Sequence, residues 1–132
     1  MDGEASKQVV LEYLKARGSG DDARSAELLD DDVEWRTPES SDIGQTRGRE
    51  AVLRMQTEVG PKFFDLSTMK VDLKWIIAEG DKVVVRNSST AKAANGRDYS
   101  NEYIWVYVVR DGRIALIEEH VDTKRFSDIV LT

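Results

Sequence analysis

The spacing of apolar residues changes once along the chain. Up to Val59 they recur at helical intervals; from Met69 they alternate with polar residues, as in strands. Val9, Val10, Tyr13 and Leu14 fall on one stripe and predict a helix over 4–17, which Gly18-Ser19-Gly20 stops after the basic Arg17. Asp21 or Asp22 can cap a short second helix carrying Ala23, Ala26, Leu28 and Leu29. Asp30-Asp31-Asp32 reads as a solvated turn into a short strand over 33–36. The polar stretch 37–46, punctuated by Pro38 and Gly44, reads as irregular. Gly48-Arg49-Glu50-Ala51-Val52 opens a third helix that presents Val52, Met55 and Val59 until Gly60-Pro61 breaks it. Phe63, Phe64 and Leu66 are expected in a loop covering apolar surface.

Beyond Met69, Val71, Leu73, Trp75 and Ile77 share one face of a strand, opposite Lys70, Asp72 and Lys74. Turns at Glu79-Gly80-Asp81, Asn95-Gly96 and Asp111-Gly112 then separate strands over 82–93, 98–110 and 113–122. Four consecutive strands joined by tight turns predict an antiparallel meander. The end of the chain carries Phe126, Ile129, Val130 and Leu131, expected to dock on the core. Helices first and strands afterwards give an α+β fold, with the helices packed on one face of a curved antiparallel sheet. At 132 residues this is expected to be one domain over 1–132.

Composition narrows the chemistry. The net charge is −6, which argues against nucleic-acid partners and anionic membranes. There is no cysteine and one histidine, so disulfides, thiolate catalysis and zinc–thiolate or histidine-rich metal centres are excluded. No loop clusters carboxylates as a hard cation requires, so neither metal nor cofactor is expected. The acidic N-terminus lacks an apolar signal core, and no apolar run approaches the roughly 18–20 residues of a membrane span. The expected location is cytoplasmic.

The strongest chemical candidates lie on the last strands. If Glu119 points inward, so do Ala115, Ile117 and Val121, giving a carboxyl in an apolar wall whose desolvation raises its pKa. An opposing Arg86 would lower it again. His120 then faces the other way with Leu116 and Glu118, and a bulge would exchange Glu119 and His120. On the neighbouring strand Ser100, Glu102, Ile104, Val106 and Val108 share one face; Tyr99, Asn101, Tyr103, Trp105 and Tyr107 share the other. That aromatic row is either an outer dimerisation surface or a pocket lining. With Ile104 facing inward, Glu102 becomes a second acid candidate. Trp35 and Trp75 are expected in the core or a pocket wall, and Phe63 and Phe64 in a lid.

Several motifs in order resemble the NTF2-like, or SnoaL-like, superfamily. They are the helix carrying Tyr13, then Asp30-Asp31-Asp32-Val33-Glu34-Trp35, Gly48 to Val52, Glu79-Gly80-Asp81-Lys82-Val83, Arg110-Asp111-Gly112-Arg113-Ile114, and Glu119-His120-Val121-Asp122-Thr123. The resemblance implies a cone of helices closing over a curved sheet around an apolar pocket, often as a homodimer. Tyr13 matches the oxygen-binding tyrosine of ketosteroid isomerases, but Thr37 and Ile104 stand where those enzymes have their base and second donor. Limonene-epoxide hydrolases use an Asp-Arg-Asp set; Arg86 and Glu119 match two positions, and Ser88 replaces the third. These comparisons leave an acid/base enzyme acting without cofactor on a small apolar oxygenated molecule, as isomerase, cyclase, dehydratase or epoxide hydrolase. Glu119, Arg86 and Tyr13 would be catalytic, and Trp35, Ser88, Glu102, Ile104, Ile117 and Phe63 would line the substrate. The alternative is a ligand-binding or dimeric scaffold module without catalysis.

Overall fold

A computed structural model describes residues 2–38 and 45–132. Helix α1 (Gly3–Ser19) begins at Asp2, whose carboxylate accepts from the Ala5 amide, and ends at Gly20 in the left-handed conformation (φ 71°). Helix α2 (Asp22–Glu27) is capped by Asp21, which accepts from the Arg24 amide. Strand β1 (Leu29–Arg36) starts earlier than the periodicity predicts. Its ladder jumps from Leu29 to Glu34, so the three aspartates bulge out of register, with the Asp32 amide turned onto the Asp30 carboxylate. Strand β2 (Gln45–Arg47) is short, and Gly44 lies outside the described residues.

Gly60-Pro61 does not break the third helix. Helix α3 (Arg49–Arg54) runs through a π-helical turn (Met55–Val59) into α4 (Gly60–Phe63), where the proline occupies a first-turn position that needs no amide hydrogen. Strand β3 (Phe64–Glu79) then starts at once, so Phe64 and Leu66 belong to a strand instead of a covering loop. It is followed by β4 (Lys82–Ala93), β5 (Asp98–Arg110), β6 (Arg113–Val121) and α5 (Thr123–Val130). Asp111 and Gly112 both adopt positive φ, 52° and 77°, the primed turn that matches strand twist.

The sheet order is β2-β1-β6-β5-β4-β3. The β3–β6 meander is antiparallel as expected, but β1 pairs with β6 in parallel, so the sheet is mixed. A bulge at Lys74 also divides β3. Val71 and Leu73 share the helix side with Ser89 and Asn87, whereas Trp75 and Ile77 emerge on the outer side; all four are exposed. Trp75 is therefore not core. The helices pack on the inner side, where Val10, Val33, Val52, Val83, Ile114 and Ile117 are buried. Ser6, fully buried, donates to the Gly80 carbonyl and ties α1 to the β3–β4 turn. Helix α5 docks through Phe126 against Phe63, Phe64 and Tyr99, while Leu131 stays exposed.

Candidate functional site

The register of the meander decides which side chains meet. Buried Val83, Val85, Asn87 and Ser89 set the inner face of β4. Trp105 stands opposite Val85 on one side and Glu119 on the other; Tyr103 stands opposite Asn87 and Val121, and Tyr107 opposite Ile117. The aromatic row of β5 therefore faces the helices together with Glu119, and does not form an outer surface. A two-residue side-chain period leaves no choice once one residue is placed.

The inner face gathers aromatic rings around one carboxyl. Tyr13 of α1 meets Tyr107 edge-on, ring centroids 6.3 Å apart, and its hydroxyl accepts a 2.6 Å hydrogen bond from Gln56 Nε2. Gln56 sits in the π-helical turn, and its Oε1 is buried without a partner among the described residues. Trp35 meets Trp105 at 5.4 Å and 84°, and Trp105 stacks on Tyr103 at 5.7 Å and 11°. The Tyr103 and Tyr99 hydroxyls are 2.7 Å apart. Phe63, Phe64, Tyr99 and Phe126 close the end nearest α5.

Burial pushes the Glu119 carboxyl up to about 7, opposed only by the charge of His120 on the other side of the strand. Glu119 has no hydrogen bond or ion pair among the described residues. Burial also raises the phenols of Tyr13, Tyr99, Tyr103 and Tyr107, and the charge of Glu119 adds to the rise at the last three. All four thus remain protonated donors at neutral pH.

Of the residues expected at the site, Glu119, Tyr13, Trp35 and Ile117 come together inside, and Phe63 stands at the α5 end. Arg86, Ser88, Glu102 and Ile104 do not. They occupy the outer face, where Arg86 pairs with Glu102 at 3.3 Å and Ile104 lies opposite His120. Arg86 thus cannot anchor Glu119 across the interior, and Glu102 is no second acid. The inner positions beside them are Asn87 and Ser89, hydrogen-bonded to each other at 3.1 Å and uncharged. Sequence reasoning missed Gln56, Asn87 and Ser89. It also left the placement of Tyr103, Trp105 and Tyr107 open. The signal was present in the charge of Arg86, which belongs in water unless paired.

Outside this cluster, Glu118 bridges His120 (2.6 Å) and Arg36 (2.8 Å), which together hold its carboxyl below the usual range. Two open surface hollows lie elsewhere. One of about 430 Å³ lies between Asp31, Arg47, Arg49 and Arg54, and one of about 210 Å³ between Asp122, Arg125 and Ile129. Among the described residues no cluster of His, Cys, Asp or Glu is arranged to hold a metal ion, and no helix is long and apolar enough to cross a membrane.

The SnoaL-like domain family matches residues 10–117. No curated protein matches. Among solved structures, the chain is similar to Bal32a from a soil-derived mobile gene cassette, with 26% identity, a TM-score of 0.84 and coverage of 98% of this chain and 99% of that one. An NTF2-like protein of unknown function from Burkholderia pseudomallei superposes at TM-score 0.85, with 23% identity over 97% of this chain and 98% of its own. An LEH-like epoxide hydrolase from M. tuberculosis does so at 0.75, with 19% identity over 98% and 91%. Helices followed by a curved, open, mixed sheet are common to this fold. The chain has the fold of NTF2-like proteins and belongs to the SnoaL-like domain family.

Proposed function

We propose that this chain is an acid/base enzyme that needs no cofactor and moves a proton on a small, apolar, oxygen-bearing molecule, with Glu119 as the proton carrier. The observation that carries the proposal is the Glu119 carboxyl, lifted by burial to about 7. A group with that pKa is available as base and as acid at neutral pH, which suits general acid/base catalysis. Glu119 is crowded by protein yet keeps part of its surface within reach of water, so a small molecule can meet it.

In this reading the ionised carboxylate removes a proton from carbon beside a carbonyl. A tyrosine hydroxyl, from Tyr13, Tyr103 or Tyr107, donates to the oxygen as negative charge builds there. Glu119 then returns the proton at another carbon. Isomerisation and related proton transfers need only this one carboxyl. Epoxide opening calls for a second acid on the far side of the substrate, and Asn87 and Ser89 do not supply one.

A second reading is a binding module without catalysis, favoured by the absence of any partner acid for Glu119 among the described inward-facing residues. Thermal shift and turnover with a panel of cyclic ketones, run on the parent and Glu119→Gln, separate the two. Turnover lost in Glu119→Gln with binding retained supports the enzyme. Binding without turnover in either protein sinks it. Trp75, Ile77 and Ile104 leave apolar surface exposed on the outer face, and a second copy of the chain covering it is part of the proposal.

A further inference from the structure

On the inward-facing positions of β4, β5 and β6, Glu119 is the only acidic or basic side chain among the described residues. A carboxylate taken out of water is costly unless a positive group accompanies it. The chain supplies none there. Arg86 is turned outward onto Glu102, and Arg36 is spent on Glu118.

What surrounds Glu119 is aromatic. Trp105 is its direct cross-strand neighbour, and Tyr103 and Tyr107 flank Trp105 two positions away on the same face. Trp35 closes on Trp105 from β1, and Tyr13 approaches Tyr107 from α1. All four tyrosines of the chain, including Tyr99, belong to this cluster. The negative faces of such rings attract organic cations, most strongly where water is excluded. Aromatic rings beside a carboxyl that has no cationic partner among the described inward-facing residues of these strands suit a positive guest. The net charge of −6 biases approach in the same direction.

We propose that the interior takes a small organic cation, an amine or quaternary ammonium on an apolar body, with its charge against Glu119 and its carbon skeleton against Trp35, Trp105, Tyr103 and Tyr107. This rests on the functional proposal only in placing a ligand at Glu119, since binding of the cation requires no turnover. It names a substrate class that the resemblance to ketone- and epoxide-acting enzymes does not.

The test uses two probes of nearly equal shape, benzylamine and benzyl alcohol, titrated calorimetrically into the full chain. At pH 8 benzylamine is expected to bind at least about tenfold more tightly, and Glu119→Gln to abolish the preference. Benzylamine stays charged from pH 8 to 6, so its affinity for the parent should fall about tenfold as Glu119 takes up a proton. This second measurement needs no variant. Tyr99, Tyr103 and Tyr107, which face Glu119 from β5, and Tyr13 behind them remain neutral throughout that range. His120, on the other side of the strand, is controlled by His120→Asn, in which the same fall is expected. Equal behaviour of the two probes, absence of binding included, overturns the inference, as does a preference that survives in Glu119→Gln. Benzyl alcohol bound as tightly as benzylamine, and lost in Glu119→Gln, overturns the cation while leaving the acid/base proposal intact.

Discussion

Glu119→Gln replaces a buried acid by a neutral group of the same shape, and its effect on stability should depend strongly on pH. An unfolded glutamate keeps its proton only up to the ordinary value of 4.5, whereas the folded chain keeps it up to about 7. Between these values the folded state binds more protons than the unfolded one, so stability falls as pH rises. The contribution is fully present below pH 4.5 and lost by the time pH passes 7. At about 1.4 kcal/mol for each pH unit, the loss amounts to about 3 kcal/mol. In a domain of this size, that corresponds to roughly 10 °C in melting temperature. The glutamine variant has no such loss. Thermal unfolding of both proteins at pH 4.5, 6, 7 and 8.5 should show matching stability at the acid end and an advantage for Glu119→Gln that grows to about 3 kcal/mol above pH 7. A difference that stays constant across the series would refute the reasoning, because Glu119 would then be solvated or paired.

Gly3→Ala would place a Cβ 2.9 Å from the Ala78 carbonyl oxygen, so the start of α1 must lift from β3; a cost of about 1–2 kcal/mol in urea unfolding is expected. Glu118 is held ionised by His120 and Arg36, so its contribution to stability is present above pH 4.5 and fades as pH falls through its lower folded value. Its carbon NMR titration should move back toward the ordinary range in His120→Ala. A second copy on the outer sheet face predicts that Ile104→Lys converts a sedimenting dimer to monomer, whereas a parent chain that sediments as monomer would contradict that part of the proposal.

The period change near residue 60 and the three turn pairs carried the architecture, because glycine and asparagine at tight turns leave little freedom in strand order. Glu119 was placed correctly relative to Ile117 and Val121 by parity within β6. Parity between strands was not legible. Val83-Val84-Val85 fits either face, and the aromatic row looked equally suited to an interface or a pocket. One mistaken residue in β4 therefore moved Arg86, Ser88, Glu102 and Ile104 to the wrong side together. The bulge at Lys74 hid Trp75 for a similar reason, since an inserted residue reverses a strand's alternation without a composition signal. Gln56 was invisible because a π-helical turn leaves no mark in the residue pattern.

The parallel pairing of β1 with β6 bears on how the molecule is made. Trp35 finds Ile117, and Arg36 finds Glu118, only after the whole meander has been synthesised. The strands of the meander, by contrast, are sequence neighbours closed by tight turns, and local contacts form fastest. During synthesis the β1–β2 pair therefore waits without its neighbouring strand, and Trp35 can join the aromatic cluster on the sheet only once β6 has been made. Chains cut short before Arg113 lack the strand that joins the two halves of the sheet, and would expose the backbone edges of both.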